Sequence, residues 1–404
     1  MRTTIRSGVC CVAAVILGVS IAGRAQQTGA TSSAKPPQVA KLPIVHELPD
    51  PFKFNDGKRV KTRADWDRRR AELLREFQEL EYGHVPSDGG EVKAGEAHTD
   101  HDSSSGATIR QLTLNMGPDG KVSTHLILTI PQGEGPFPII IKGDLCWGRI
   151  KPEIVNEVIR RGYMLAEFDR TEIAPDKNDR GVGVFPLYPE YDWGCLGAWA
   201  WGYSRVIDYV STLPNVDRDK IIITGHSRCG KATLLAGALD TRVALTVPNG
   251  SGCGGAGCYR IYWPMSEDIK AIVTHFPFWF APHFDEFIGH VDQLPIDQHE
   301  LKALIAPRAL LTTDSLDDLW ANPLGTQISY LASKPVFEFL GAGEKTGLHY
   351  RHGKHEQNAE DFAALLDFAD WQLRGKQPAQ KFDNLPFPQF PPVRTWKAPQ
   401  RMEQ

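Results

Sequence analysis

Apolar residues along this chain follow two rhythms. From Asp65 to Tyr82 they fall at helical spacing, with Trp66, Leu73, Leu74, Phe77 and Leu80 able to share a face. Gly83 and Pro86 stop that run. The polar stretch Asp88 to Gly106 reads as a loop or hairpin edge. Arg110 to Asn115 and Thr124 to Ile130 then alternate, which predicts antiparallel strands. Beyond them, continuous apolar runs predict buried strands at Phe137–Ile141, Tyr163–Phe168, Ile221–Thr224, Val243–Val247 and Ala309–Thr313. Helical spacing returns over Ile154–Arg161, Leu196–Leu213, Lys231–Leu239 and Ala359–Leu373.

Strands alternating with helices predict the α/β class, a mostly parallel central sheet in a three-layer αβα sandwich. No repeat and no change of composition breaks the chain after residue 50, so residues 51–390 are expected to form one domain. The Pro-rich segment 391–404 reads as a tail. Residues 26–50, rich in Gln, Ser, Thr, Ala and Pro, read as a flexible lead-in.

The first 25 residues follow a different logic. Arg2 and Arg6 make a basic start, an apolar run extends from Gly8 to Ala22, and Gly23-Arg24-Ala25 offers small residues to a signal peptidase. A signal peptide cleaved after Ala25 is expected, with the mature protein secreted or periplasmic. The run is short for a membrane anchor, and no second long apolar stretch follows it. No membrane association is expected after cleavage.

Composition adds bounds. The 404 residues are 41% hydrophobic and 23% charged, ordinary for a soluble globular protein, and the formal charge of −4 gives no reason to expect nucleic acid as a partner. Of seven cysteines, Cys10 and Cys11 leave with the signal, and the remaining five guarantee at least one free thiol. Their scatter does not suit zinc or a dense disulfide framework, and one bridge stays open.

The chemistry concentrates at Ile223-Thr224-Gly225-His226-Ser227-Arg228-Cys229-Gly230-Lys231. A buried strand enters a Gly-x-Ser-x-x-Gly turn and a helix leaves it. Such a sharp turn lifts a serine oxygen above the sheet as a nucleophile, as in the α/β-hydrolase fold. The flanking glycines remove side chains that would collide, and the helix start aims amides at a nascent oxyanion. Ser227 is therefore the expected nucleophile and the Arg228 amide one oxyanion donor. The alternative for Ser227 is a helix N-cap in a glycine-containing loop.

A serine hydroxyl needs a base, and the base an acid, here in the order Ser, acid, His. Among thirteen histidines, His355 lies in a polar loop just before the last helix, where this fold places its base. His349 and His352 read as structural or surface residues, and His226 as a packed neighbour pointing into the sheet. The acid is expected after the strand Ala309–Thr313. Asp314 stands too near the strand end, and Asp317 and Asp318 are hard to separate. A turn-forming or capping aspartate is the alternative for each.

These residues resemble the glucuronoyl esterases of carbohydrate esterase family 15. The resemblance runs through Gly225–Lys231, Arg242–Pro248, Ser251–Ala256, Leu294–His299, Ala303–Arg308, Gly353-Lys354-His355 and the helix with Asp367–Trp371. It implies cleavage of the ester between 4-O-methyl-glucuronic acid of xylan and a lignin alcohol. It implies Ser227 as nucleophile, His355 as base and Arg228 at the oxyanion. It also implies Lys231 on uronate hydroxyls and Trp320 against the sugar. Fungal members carry their acid in Pro-Gln-Glu-Ser-Gly, but this chain has Pro248-Asn249-Gly250-Ser251-Gly252. The acid must then come from the later loop, and the Asp-Leu-Trp alignment favours Asp318. Cys258 matches a bridged fungal cysteine without an evident partner.

The expected reaction is acyl transfer through Ser227, with no metal or organic cofactor, by a monomer acting on xylan-linked glucuronate esters. Two other readings compete: an acetyl xylan esterase on the same scaffold, and a non-catalytic carbohydrate-binding relative.

Overall fold

The computed structural model describes residues 39–388 and 394–400. The expected signal peptide, the first half of the lead-in and half of the tail lie outside the described residues.

The chain opens with helix α1, Arg63–Phe77, and a π-helical turn, Gln78–Tyr82. The expected single helix is thus two pieces. Thr62 and Asp65 form a capping box at its start, and Gly83, at positive φ, ends it. Ten strands follow in one sheet: β1 (Lys93–Ala94), β2 (His98–His101), β3 (Thr108–Met116), β4 (Val122–Ile130), β5 (Phe137–Lys142), β6 (Met164–Phe168), β7 (Val216–His226), β8 (Val243–Asn249), β9 (Ala309–Ser315) and β10 (Thr346–Arg351). Their order is β1-β3-β4-β6-β5-β7-β8-β9-β10, with β2 also on β3. From β6 to β10 every pairing is parallel, and the β1–β4 edge is antiparallel. This is the α/β-hydrolase fold.

The continuous apolar strands feed two cores by alternation. Ile139, Ile141, Ile221 and Ile223 face one side, and Ile140 and Ile222 the other. The first side is covered by α1, α4 (Cys195–Val210), α5 (Arg228–Leu239), α7 (Gln298–Ala303) and α8 (Pro323–Phe339); the second by α2 (Pro152–Arg160) and α9 (Ala359–Arg374). Two short helices, α3 (Arg170–Ile173) and α6 (Ile269–His275), lie near the strand ends.

Part of the expected flexible lead-in is packed. Val39 is buried, the Val45 amide donates to the Asp292 carbonyl at 2.6 Å, and Trp396 of the tail donates from Nε1 to the Leu48 carbonyl at 2.9 Å. A buried indole and its hydrogen bond outweigh the weak local propensity of this polar segment. The five cysteines from Cys146 to Cys258 are all free thiols, so the open possibility of a bridge is not used among the described residues. No described helix is long and apolar enough to cross a membrane.

Candidate active site

The site lies at the carboxyl ends of the parallel strands. There β7 breaks into α5 at Ser227, whose backbone holds φ 55° and ψ −123°. Two bonds clamp this turn: the Ser227 amide donates to the Asn249 carbonyl at 2.9 Å, and the His226 amide to Asp144 Oδ2 at 3.0 Å. The spacing of the glycines has a steric cause. A Cβ on Gly225 would lie 2.6 Å from Thr233 Oγ1, and one on Gly230 2.8 Å from the Asn249 carbonyl oxygen. Helix α5 begins directly after Ser227, so its first amides have no intrahelical acceptor and stand beside the serine.

Ser227 Oγ lies 2.8 Å from Nε2 of His355, in the loop after β10. Nδ1 of His355 is bonded to Oδ2 of Asp318, in the loop after β9. The Asp318 side chain is 8% exposed and that of Asp317 56%. Asp317 is turned away from His355. It accepts the Gly353 amide at 2.8 Å and pairs with the exposed His352, so it braces the loop that carries His355. Asp314 is buried on β9, accepts from Thr326 Oγ1 at 2.9 Å, and is pushed up to about 8 by burial.

His226 departs from expectation. It does not point into the sheet. Its ring packs on His355 with centroids 4.4 Å apart. The turn that follows β8 leaves that space open because residue 250 is glycine. A Cβ there, at φ +51°, would sit 3.4 Å from His226 Cε1 and 3.7 Å from His355 Cε1.

Arg228 lies over aromatic side chains. Its guanidinium carbon is 4.7 Å from the Trp279 ring centre and 4.9 Å from that of Phe276. Nη1 donates to Asp176 Oδ2 at 2.7 Å, while Trp279 Nε1 donates to Asp176 Oδ1 at 2.9 Å. The arginine is thus fixed beside the serine before any substrate arrives. Beneath the turn, burial alone would raise the Asp144 carboxyl, but Lys142 and Arg170 hold it below the usual carboxylate range.

A cleft of ≈ 310 Å³ opens from Ser227, with Arg228, Lys231, Glu267, Trp279 and Trp320 among its walls. Trp320 is 49% exposed and forms part of the rim. Lys231, expected on uronate hydroxyls, lines the cleft with its ammonium already engaged by the protein. Its ammonium gives all three protons to protein acceptors: the Ser251 carbonyl at 2.8 Å, the Cys253 carbonyl at 2.5 Å and Glu267 Oε2 at 2.8 Å. A buried cation demands this, since each unmatched proton would lose its hydration. Glu267 itself was not foreseen. Nothing local marks it, and only the need of a buried lysine for a counter-charge could have pointed to it.

The chain is similar to proteins of known type over most of its length. The family described as fungal glucuronyl esterase matches residues 116–341. A carbohydrate esterase from an unknown prokaryotic organism is 30% identical over 82% of this chain and 90% of its own. The chain belongs to the glucuronoyl esterase family. A 4-O-methyl-glucuronoyl methylesterase of Wolfiporia cocos is 35% identical, covering 74% of each chain. Among solved structures, a family 15 glucuronoyl esterase from Caldicellulosiruptor kristjansonii superposes with a TM-score of 0.76 at 32% identity, over 89% of this chain and 99% of that one. A mutant glucuronoyl esterase from Sporotrichum thermophile, solved with methyl 4-O-methyl-β-D-glucopyranuronate, gives 0.70 at 27% identity, over 84% and 90%. In this glucuronoyl esterase family member a serine, a histidine and an aspartate stand in hydrogen-bonded sequence above a cleft with a charged floor, an arrangement able to pass a proton and to hold a polar acyl group.

Proposed function

We propose that this protein hydrolyses esters of 4-O-methyl-glucuronic acid carried on xylan, releasing a lignin-type alcohol. The supporting observation is the row Ser227–His355–Asp318 standing over the Lys231–Glu267 floor. A uronate ring presents hydroxyls that a carboxylate can accept, and Glu267 has its other oxygen available for them. Lys231 lines the same cleft and fixes Glu267 in place beside the sugar. The Trp320 indole provides an apolar plane and one N–H for the ring.

In this reading His355 takes the Ser227 proton while Oγ bonds to the ester carbonyl carbon. Asp318 holds the imidazole and balances its charge. The Arg228 guanidinium and the amides at the start of α5 stabilise the oxyanion. The alcohol then leaves with the proton from His355, and a water attacks the glucuronoyl-serine by the same path in reverse. The order of residues over positions 1–25 supports action outside the cytoplasm.

The test is turnover of benzyl glucuronate, its galacturonate epimer and acetylated xylan by the wild type and Ser227→Ala. Hydrolysis of the glucuronate ester, lost in the variant, is the expected outcome. Acetate release without glucuronate turnover would move the substrate to acetyl xylan, and activity retained by Ser227→Ala would remove the nucleophile.

A further inference from the structure

We propose that His226 is a positioning residue for His355: a permanently neutral imidazole that backs the base and favours the charged form His355 adopts during proton transfer. This rests on the reading of His355 as the base.

The geometry begins at the end of β8. Asn249 Nδ2 donates to Thr313 Oγ1 at 2.9 Å, which leaves its Oδ1 facing His226 Nδ1 at 2.7 Å. An amide oxygen only accepts, so the hydrogen of a neutral His226 sits on Nδ1. The ring then lies against His355 with a 47° tilt, and Trp147 stands edge-on to it at 6.2 Å. The Asn249 bond and the clamped backbone hold the His226 ring in this seat. The His355 ring is confined between it and the Asp318 bond.

Charge favours the same role. The charged groups acting on His226 are His355, Lys142 and Asp144. Burial first, then the positive neighbours His355 and Lys142, push the His226 imidazole down to about 4, against smaller opposite pulls from Asn249 and Asp144. A neutral aromatic face beside an imidazolium is attractive, whereas a second imidazolium at 4.4 Å would repel it. Asn249 therefore does what an aspartate at that place could not. It fixes the ring without drawing a proton onto it.

Three variants test this, with thermal unfolding measured for each. His226→Ala is expected to lower kcat on benzyl glucuronate at least about tenfold, with KM within about twofold. His226→Phe keeps an aromatic face without a proton and is expected to recover most of that loss. Asn249→Asp is expected to let His226 charge near neutral pH and so move the acid limb of the kcat profile up by about one pH unit or more. In the wild type, imidazole nitrogen shifts should find His226 neutral above pH 6. A wild-type kcat in His226→Ala, a Phe variant no better than Ala, an unmoved profile in Asn249→Asp, or a charged His226 above pH 6 would each overturn the proposal. Ser227→Ala and His355→Ala separate the two levels. If both abolish turnover while the His226 variants do nothing, only the positioning role fails.

Discussion

Lys231 Nζ and Glu267 Oε2 form an ion pair 2.8 Å long at the floor of the cleft, with both side chains almost wholly buried. The two are not equal partners. Lys231 has two carbonyl acceptors besides Glu267, whereas Lys231 is the one side-chain donor to the Glu267 carboxylate among the described residues. Removing the lysine strands a buried anion; removing the charge on the glutamate leaves the lysine fully bonded.

The two substitutions should therefore separate. Lys231→Ala is expected to destabilise by roughly 3 to 5 kcal/mol, the range for a broken buried pair. Glu267→Gln should cost clearly less, since its amide oxygen still accepts from Lys231. Its larger effect should be on binding, raising KM for benzyl glucuronate about tenfold or more, in line with a lost hydrogen bond to a charged group. Urea unfolding reads the first effect. Comparison with p-nitrophenyl acetate, which has no sugar hydroxyls, reads the second: an equal rise in KM on both esters would exclude a hydroxyl-binding role for Glu267.

The adjacent aspartates offer a sharper contrast. Asp318→Asn should keep the geometry yet reduce kcat by roughly 10³- to 10⁴-fold, because an amide neither holds the right tautomer of His355 nor balances its charge. Asp317→Asn removes an exposed acceptor of the Gly353 amide and should change stability by only about 0.5 kcal/mol, with kcat nearly unchanged. Rates of the two variants on one ester settle the choice; a catalytic loss in Asp317→Asn as large as that in Asp318→Asn would argue against it.

The difference between these neighbours marks how far the sequence could be read. Gly225, Ser227 and Gly230 announced the turn because its backbone tolerates little else. The β5 to β9 runs were legible because strands buried on both faces must be apolar throughout. Strand β10 and helix α8 were not, since Thr346–Arg351 mixes polar and apolar residues and Pro335 interrupts the helical pattern. The cleft floor was hidden for another reason. Glu267 meets Lys231 across 36 residues, and the packing of His226 against His355 spans a still longer separation. Local rhythm carries no trace of such pairings.

Glu81 gives a pH dependence unrelated to catalysis. It is fully buried in the π-helical turn, where it accepts from Tyr259 Oη at 2.5 Å and Gln298 Nε2 at 2.9 Å. Burial pushes its carboxyl up to about 8 from an ordinary 4.5. The unfolded chain releases this proton near 4.5, while the folded chain keeps it. Between those values the unfolded state binds fewer protons, so stability falls as pH rises. The contribution is complete below about 4.5 and lost through about 8. Glu81→Gln should flatten this slope. Relative to the wild type, its Tm should compare better at pH 8 than at pH 5, and a constant difference between the two pH values would count against a protonated Glu81.

The turn at Ser227 should show its strain directly. A serine at φ 55° and ψ −123° occupies backbone space that glycine enters freely. Such strain is on the order of 1 to 3 kcal/mol. Ser227→Ala keeps a Cβ and therefore the strain, so its stability should stay close to that of the wild type. Ser227→Gly should relieve it, offset in part by the greater entropy of glycine in the unfolded chain. The net expectation is that the glycine variant exceeds the alanine variant by about 1 kcal/mol in urea unfolding, with both inactive. The bonds from Ser227 to the Asn249 carbonyl and from His226 to Asp144 remain in both variants, so the comparison isolates the Cβ. A glycine variant less stable than the alanine one would mean that the turn is held without strain, and that the positive φ at Ser227 is no burden on the fold.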